Sequence, residues 1–177
     1  MSPRPTAARP LAPKLIVLIG AAGSGKTTVG RLLAERIGAA FRDADDFHPP
    51  ANLAKMHRGE PLTDADRAPW LRELHALLRR HAAEREPLVL ACSALKRDYR
   101  RRLGRALPSL RFVHLSVPPA ELARRLAART GHFFRPELLG SQLAALEQST
   151  DALVIDAARP SEIVADEIAA ALAGSAE

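Results

Sequence analysis

The segment Gly20-Ala-Ala-Gly-Ser-Gly-Lys26-Thr27 constrains the fold of this chain more than any other feature. It satisfies the pattern G-x-x-x-x-G-K-[ST] at every required position. An apolar run at residues 14–19 precedes it, and residues with helical spacing follow it. In that context the pattern predicts a phosphate-binding loop between a strand and a helix. A glycine-rich turn that arose by chance is the alternative, and the agreement of motif and context disfavours it.

The chemistry of such a loop indicates a nucleoside triphosphate, here ATP, together with Mg²⁺. Glycines let backbone N–H groups turn towards phosphate oxygens, and the following helix points its positive end at them. Lys26 is predicted to reach the β- and γ-phosphates, and the hydroxyl of Thr27 to bind Mg²⁺. The residues predicted to bind nucleotide here are Gly20, Ala21, Ala22, Gly23, Ser24, Gly25, Lys26, Thr27 and Thr28. The loop does not identify the group that receives the phosphate.

Strand-like and helix-like segments alternate along the rest of the chain. Strands are predicted at residues 14–19, 39–44, 88–92, 111–117 and 152–156, with helices between them. After the loop, Val29, Leu32, Leu33 and Ile37 share one helical face, and Gly38 ends that helix. Repeated β-α units predict an α/β fold in which a parallel sheet lies between two layers of helices. Ligands of such sheets bind at the carboxyl ends of strands, so chemistry is expected directly after residues 19, 44, 92 and 117.

Length and composition limit the organisation and location of the chain. Its 177 residues predict a single domain at residues 14–177, after a disordered tail at residues 1–13. The apolar run at residues 15–19 is far shorter than the roughly 20 residues of a membrane helix, and no signal peptide is visible. The one cysteine, Cys92, excludes an intrachain disulfide and fits a reducing cytosol. We therefore expect a cytoplasmic protein with no membrane partner.

The formal net charge of +6 has two interpretations that composition does not separate. Only four of the 26 basic residues are lysines, which is typical of a GC-rich genome, but a basic surface also attracts nucleic acids or small anions. A nucleic-acid-dependent NTPase is thus the alternative from another functional class. Aromatic residues make up 4% of the chain, no nucleic-acid-binding motif is visible, and acidic residues follow the second strand. These features argue against a nucleic-acid partner.

Acidic residues cluster where an acceptor substrate is expected. Asp43 and Asp45 follow the second strand and, by alternation, lie on the same side, with Asp46 and His48 close behind. A kinase for an alcohol needs one carboxylate that orients the hydroxyl and accepts its proton, and another near Mg²⁺. We assign Asp45 to the first role and Asp43 to the second, although the reverse remains open. A solvated turn is the structural alternative.

Cationic side chains near the ends of other strands suit an anionic substrate. They are Arg67, Lys96, Arg100, Arg129 and His132. A guanidinium fork pairs with a carboxylate through two parallel hydrogen bonds. Arg67 and Arg100 are the predicted carboxylate ligands, with Lys96 and His48 binding along the substrate hydroxyls. For any single arginine in so arginine-rich a chain, solvated surface is the competing interpretation.

Several longer motifs resemble the thermoresistant-type gluconokinases. Among them, Cys92-Ser-Ala-Leu-Lys96 and Asp66-Arg-Ala-Pro-Trp-Leu71 are more specific than the phosphate loop. The other matching positions are Asp43, Asp45, His48-Pro49, Asn52, Lys55-Met56, Gly59, Pro61-Leu62, Asp64, Tyr99-Arg100 and Gly131-His132-Phe133. The resemblance covers roughly residues 14–160. Shikimate kinase is the alternative within the kinases, but a Gly-Gly pair is expected there in place of residues 92–96.

The resemblance implies an adenylate-kinase-like P-loop fold with five parallel strands in the order 2-3-1-4-5. It implies transfer of the γ-phosphate of ATP to D-gluconate, giving 6-phosphogluconate, in a family whose members are often homodimers. It also implies a mobile lid at about residues 129–136, from which Arg129 approaches the phosphates, and an adenine-contacting turn at Arg159-Pro160. The predicted catalytic residues are Lys26, Asp45 and Arg129; Thr27 and Asp43 are the metal ligands; Asp45, His48, Arg67, Lys96, Arg100 and His132 bind the substrate; and Arg159 completes the nucleotide site.

Overall fold

A parallel five-stranded sheet organises the part of the chain that the computed structural model describes, residues 15–128 and 136–174. Its strands are β1 (Leu15–Ile19), β2 (Ala40–Asp43), β3 (Leu88–Ala91), β4 (Leu110–Ser116) and β5 (Leu153–Asp156). They follow the spatial order β2-β3-β1-β4-β5, and every pair is parallel. The predicted strand positions agree to within one residue, and the strand order that the family resemblance implied is confirmed.

The described ranges contain seven α-helices. They are α1 (Lys26–Ile37), α2 (Pro50–His57), α3 (Asp64–Glu84), α4 (Arg97–Leu103), α5 (Pro119–Ala127), α6 (Pro136–Ala145) and α7 (Ser161–Gly174), with a 3₁₀ turn at Ala44–Phe47. None of the helices in these ranges is long and apolar enough to cross a membrane. The predicted tail and nearly all of the predicted lid lie outside the described residues, so the domain division stays a prediction.

Alternation along β1 explains why helices pack on both faces of the sheet. Leu15, Val17 and Ile19 are buried in one core with residues of α3 and α4. Ile16 and Leu18 are buried in a second core with residues of α1 and α7. A strand that is apolar at every position has no face to offer to solvent, so it occupies the centre of the sheet. The predicted three-layer α/β architecture is therefore confirmed.

Local signals set the helix ends that frame the site. Helix α1 starts directly after Gly25, and it ends at Gly38, whose φ of 65° closes the last turn as predicted. Helix α3 begins with a capping box in which the Thr63 hydroxyl accepts from the Asp66 N–H and the Asp66 carboxylate accepts from the Thr63 N–H. Because β2, β3 and β1 are neighbours, the loops that follow them meet at one edge of the sheet.

Candidate active site

A cavity of about 390 Å³ opens at the carboxyl ends of β1, β2 and β3. This volume lies within the usual range for small-molecule sites. Of the residues predicted to form the site, those that line the cavity are Ala22, Gly23, Gly25, Lys26, Thr27, Thr28, Asp43, Asp45, His48 and Arg67. The fold therefore brings the phosphate loop, the acidic cluster and one predicted substrate cation together. Residues 136–145 also reach the cavity, through Ser141 and Gln142.

The phosphate loop has the backbone form that an anion cradle requires. Gly23 has a φ of 85°, and a Cβ built on it would lie 3.0 Å from the side chain of Leu126 in α5. Gly20 has a φ of 149°, and its Cβ would lie 2.7 Å from the Ser24 hydroxyl oxygen. Side chains at these positions would strain the backbone and fill the space beside it. The loop therefore fits the phosphates of a nucleotide, with α1 starting directly behind it.

The Lys26 side chain and the Ala22 N–H of the loop make hydrogen bonds within the protein. The Lys26 ammonium donates to the carbonyl oxygens of Gly20 at 2.8 Å and Ala21 at 3.0 Å. The Ala22 N–H donates to Oε1 of Gln142 at 2.7 Å, which ties α6 to the loop. Gln142 was not among the predicted site residues. It is a polar side chain in a largely apolar helix, but nothing in the local sequence pairs it with a residue 120 positions away.

A hydroxyl and a carboxylate meet at the foot of the loop. The Thr27 hydroxyl donates to Oδ2 of Asp43 at 2.9 Å, and the other carboxylate oxygen accepts from the Asp45 N–H at 3.2 Å. Oxygen ligands of this kind suit Mg²⁺, which commonly binds one or two protein oxygens together with substrate phosphates. The pair therefore fits the predicted metal site.

The Asp45 carboxylate stands in the cavity with its pKa raised above the ordinary value. Loss of hydration inside the cavity is the largest cause and the Asp43 charge the next, whereas Lys26 acts in the opposite direction. The hydration loss is partial, since 75% of the side-chain surface remains exposed. A carboxylate whose pKa moves towards neutrality is better suited to accept a proton. Asp43 is engaged by Thr27, and this division of contacts favours Asp45 as the acceptor-side carboxylate.

His48 forms a rigid wall of the cavity. Its side chain is only 5% exposed and stacks on Trp70, with ring centroids 4.5 Å apart and planes inclined by 11°. The Trp70 indole N–H donates to the Ala44 carbonyl at 2.7 Å, which holds α3 against the end of β2. Burial, and secondarily the Arg67 charge, lower the pKa of His48. His48 is therefore neutral at neutral pH. Trp70 was not among the predicted site residues.

Arg67 lines the cavity, but Lys96 does not. The Arg67 guanidinium donates to the Leu62 carbonyl at 2.7 Å and contacts the Tyr99 hydroxyl at 3.5 Å. The Lys96 ammonium lies 5.4 Å from the centroid of the Tyr99 ring and binds both carboxylate oxygens of Asp64, at 2.8 and 2.9 Å. Of the two side chains, Arg67 thus has the more direct access to a ligand.

The prediction that Arg100 binds substrate is not supported by its position. Its side chain is 0% exposed, and its Nε donates to Asp151 at 2.9 and 3.1 Å. The remaining guanidinium nitrogens donate to the carbonyl oxygens of Ala94, Leu95 and Gln148. Because the Arg100 guanidinium is buried and each of its nitrogens donates to a protein group, its role is structural. It joins α4 to the segment before β5.

The remaining predicted residues lie elsewhere. Arg159 is on the surface after β5, where it pairs with Asp156 and Glu167, and it does not line the cavity. Arg129 and His132 lie outside the described residues. Cys92 lines the cavity, but burial raises its pKa to about 12, so the thiol stays protonated.

Comparisons with known proteins agree with this arrangement. A family model described as an AAA domain matches residues 15–153. A gluconokinase of Gluconobacter oxydans (strain 621H) is 51% identical over 142 residues, covering 80% of this chain and 79% of the relative. The thermoresistant gluconokinase of Escherichia coli (strain K12) is 40% identical over 84% of this chain and 87% of its own.

Solved structures show the same relationship. A crystal structure of a gluconokinase from Sinorhizobium meliloti 1021 superposes with a TM-score of 0.83 at 43% identity, covering 93% of this chain and 94% of the other. A shikimate kinase from Acinetobacter baumannii, in complex with shikimate, superposes with a TM-score of 0.61 at 21% identity over 92% and 94% of the two chains. The second likeness concerns the fold alone.

Proposed function

Because this chain belongs to the gluconokinase family, we propose that it transfers the γ-phosphate of ATP to the 6-hydroxyl of D-gluconate and releases 6-phospho-D-gluconate. One observation carries this proposal beyond family membership. A single cavity holds Lys26 and Thr27 of the phosphate loop together with Asp45 and Arg67. A phosphate donor and an anionic alcohol therefore have complementary groups in the same space.

The donor side is formed by the loop, Lys26, Thr27 and Asp43. Backbone N–H groups of residues 20–27 bind the phosphates, and Lys26 adds positive charge beside the group that is transferred. Thr27 and Asp43 are the residues that would hold Mg²⁺, and the bound ion would neutralise phosphate charge. Arg129 contributes from the lid and Arg159 from the adenine-contacting turn, as the family resemblance implies.

The acceptor side is formed by Asp45, His48 and Arg67. Asp45 orients the reacting hydroxyl and accepts its proton. Arg67 pairs with the substrate carboxylate, which is remote from the reacting end, so that remote binding energy sets the direction of the molecule. His48 and, from the lid, His132 donate hydrogen bonds to substrate hydroxyls. Lys96, which pairs with Asp64, lends a further hydrogen bond to a substrate hydroxyl.

We also propose a cytoplasmic location, a homodimer, and no nucleic-acid or membrane partner. The carboxylates of Asp43 and Asp45 line the cavity together with the phosphate loop, and their charge repels a nucleic-acid backbone. Sedimentation of the purified protein measures its subunit number directly.

A coupled assay of ATP turnover over a panel of acceptors tests the reaction. The panel contains D-gluconate, D-glucose, shikimate and a polynucleotide, each at the same ATP and Mg²⁺ concentrations. We expect gluconate to be used and glucose to be used poorly, because a neutral molecule leaves the cations of the site desolvated and unpaired. Equal use of glucose and gluconate would contradict an anionic substrate. Stimulation of ATP hydrolysis by the polynucleotide alone would instead favour the nucleic-acid-dependent alternative.

The role of Lys26 is tested by Lys26→Ala. If Lys26 stabilises charge that develops during transfer, kcat should fall by roughly 10²-fold or more, while thermal unfolding stays close to that of the wild type. Glu35→Ala, at an exposed position of the same helix, is the matched control. A kcat within about tenfold of wild type would remove Lys26 from the mechanism.

A further inference from the structure

Asn52, a buried residue of α2, connects His48 to the start of α3. The side chain is 3% exposed. Its amide nitrogen, Nδ2, donates to the Asp66 carbonyl oxygen at 2.9 Å and contacts Nδ1 of His48 at 3.3 Å. Each of the two N–H bonds of this amide thus has its own partner.

These partners determine which way round the amide lies. A backbone carbonyl only accepts hydrogen bonds, so it is the nitrogen of Asn52 that must face Asp66. The reverse orientation would place the Asn52 carbonyl oxygen against the Asp66 oxygen, two acceptors with no hydrogen between them, in a buried place where unpaired polar groups are costly. The same nitrogen then faces His48, so Nδ1 of His48 must accept.

A neutral imidazole that accepts at Nδ1 carries its hydrogen on Nε2. The burial of the ring and the nearby Arg67 guanidinium oppose protonation of His48. The charged groups that face the ring are Arg67 and the Asp45 carboxylate, whose Oδ1 is 3.9 Å from Nε2. The ring therefore presents an N–H in the cavity next to the carboxylate.

The 3.9 Å separation of Nε2 and Oδ1 is too long for a direct hydrogen bond. It leaves a donor and an acceptor side by side, and a hydroxyl group both accepts and donates. An alcohol oxygen that accepts from His48 can direct its own hydrogen to Asp45. An Nδ1–H tautomer would present two acceptors at this point instead, and a hydroxyl would satisfy only one of them.

We propose that Asn52 is a positioning residue that holds His48 as the Nε2–H tautomer, so that His48 donates a hydrogen bond to a hydroxyl oxygen of the acceptor beside Asp45. The inference rests on the proposed function for its substrate class. The tautomer itself is a property of the ligand-free protein.

The tautomer is measured by ¹⁵N NMR of the full-length protein labelled at histidine, with His48→Gln used to assign the signals. We expect Nε2 of His48 to carry the hydrogen and Nδ1 to be unprotonated at neutral pH. An Nδ1–H ring in the wild-type protein overturns the proposal even if gluconate is phosphorylated. If the ring is Nε2–H but gluconate is not a substrate, it is the proposed function that fails.

The effect of Asn52 on catalysis is tested by Asn52→Asp. A carboxylate offers Nδ1 only an acceptor, so the His48 ring should gain a hydrogen at Nδ1 and the ¹⁵N signals should move accordingly. We expect kcat/KM for gluconate to fall by about tenfold, the scale of one lost hydrogen bond, and KM for ATP to stay unchanged.

Lys55→Met is the matched control, because Lys55 also ties α2 to Asp66, at 2.8 and 2.9 Å, without touching His48. It should leave the ¹⁵N signals of His48 in place and kcat/KM within about threefold of wild type. An equal loss in both variants would mean that Asn52 only docks α2, and the proposal would be wrong.

A second pair of variants keeps the proposal testable if Asn52→Asp does not fold. In His48→Gln the amide nitrogen takes the place of Nε2, whereas in His48→Asn the shorter amide does not reach that point. We expect the glutamine variant to retain about tenfold more kcat/KM for gluconate than the asparagine variant. Equal activities would exclude a donor role for Nε2.

Discussion

At the residue scale, Asp45 is the predicted acceptor of the substrate proton. Its carboxylate has lost part of its hydration and stands near Asp43, and both effects raise its pKa. We predict that Asp45→Asn lowers kcat by about 10²-fold or more, since the shape of the side chain remains but the base is gone. KM for ATP should barely change. Asp46→Asn, an exposed neighbour, is the control. Loss of ATP affinity with kcat preserved would move Asp45 to the metal side.

The same variant has a pH signature. A carboxyl whose pKa is higher in the folded than in the unfolded protein stabilises the fold below its unfolded pKa, and this stabilisation is lost as pH rises through the folded pKa. Ionised Asp45 is therefore unfavourable at neutral pH, and Asp45→Asn should unfold at a higher temperature than wild type there. The difference should shrink as pH falls through the raised pKa of Asp45. A lower unfolding temperature at neutral pH would contradict the raised pKa.

Arg67 is the second residue whose role follows from its position in the cavity. One nitrogen is held by the Leu62 carbonyl, which orients the planar group. We predict that Arg67→Lys raises KM for gluconate by about tenfold or more, since a point charge replaces a fork and weakens charged hydrogen bonds. KM for ATP should stay nearly constant. Arg72→Lys, at an exposed position of the same helix, should change neither constant. A rise in both KM values for Arg67→Lys would mean that the substitution had changed the shape of the cavity rather than one contact.

At the scale of elements, the contact between α6 and the phosphate loop links two parts of the site. The side chain of Gln142 in α6 accepts from the Ala22 N–H, one of the backbone donors expected to bind phosphate. We predict that Gln142→Glu raises KM for ATP by about fivefold, because like charges near 4 Å repel by roughly 1 kcal/mol even in water.

Gln148→Glu adds the same charge at an exposed position after α6 and is the control. KM for gluconate should be less affected than KM for ATP in Gln142→Glu. If Gln142→Glu and Gln148→Glu behave alike, the effect is one of net charge rather than of the contact with the loop.

At the scale of the whole molecule, Arg100 joins distant parts of the chain. It binds Asp151, 51 positions away, and three backbone carbonyls. Arg97 also binds the segment before β5, through Glu147 and Thr150. We predict that Arg100→Ala lowers the free energy of unfolding by about 3–5 kcal/mol, since removal of a buried charge leaves its partners unpaired.

Arg101→Ala is the matched control for Arg100. Arg101 is the next residue, and its ion pair with Asp98 is on the surface, so its loss should cost less than about 1 kcal/mol. Chemical denaturation measures both values. If Arg100→Ala unfolds like wild type but has a higher KM for gluconate, the original prediction of a substrate ligand would return.

Much of the fold was predictable from patterns of residues that are close together in the sequence. Continuous apolar runs predicted the central strands β1 and β3, because strands buried on both faces must be apolar at successive positions. Strands β2, β4 and β5 are only partly buried, and their place in the alternation of strands and helices predicted them to within one residue. Ligands bind at the carboxyl ends of parallel strands, and this rule predicted that the residues after β1 and β2 form one site. Thr27, Asp43 and Asp45 were predicted together for that reason, and they do lie together.

The sequence by itself therefore determined the strands, the loop and the edge of the sheet where the site forms, since each depends on neighbours along the chain. The tertiary structure decided which arginine faces the cavity and which is buried. Arg67 and Arg100 have identical chemistry, but Arg67 lines the cavity, whereas Asp151 and three backbone carbonyls enclose Arg100. It also brought Gln142 to the loop, because such contacts depend on the packing of elements that are far apart in the chain.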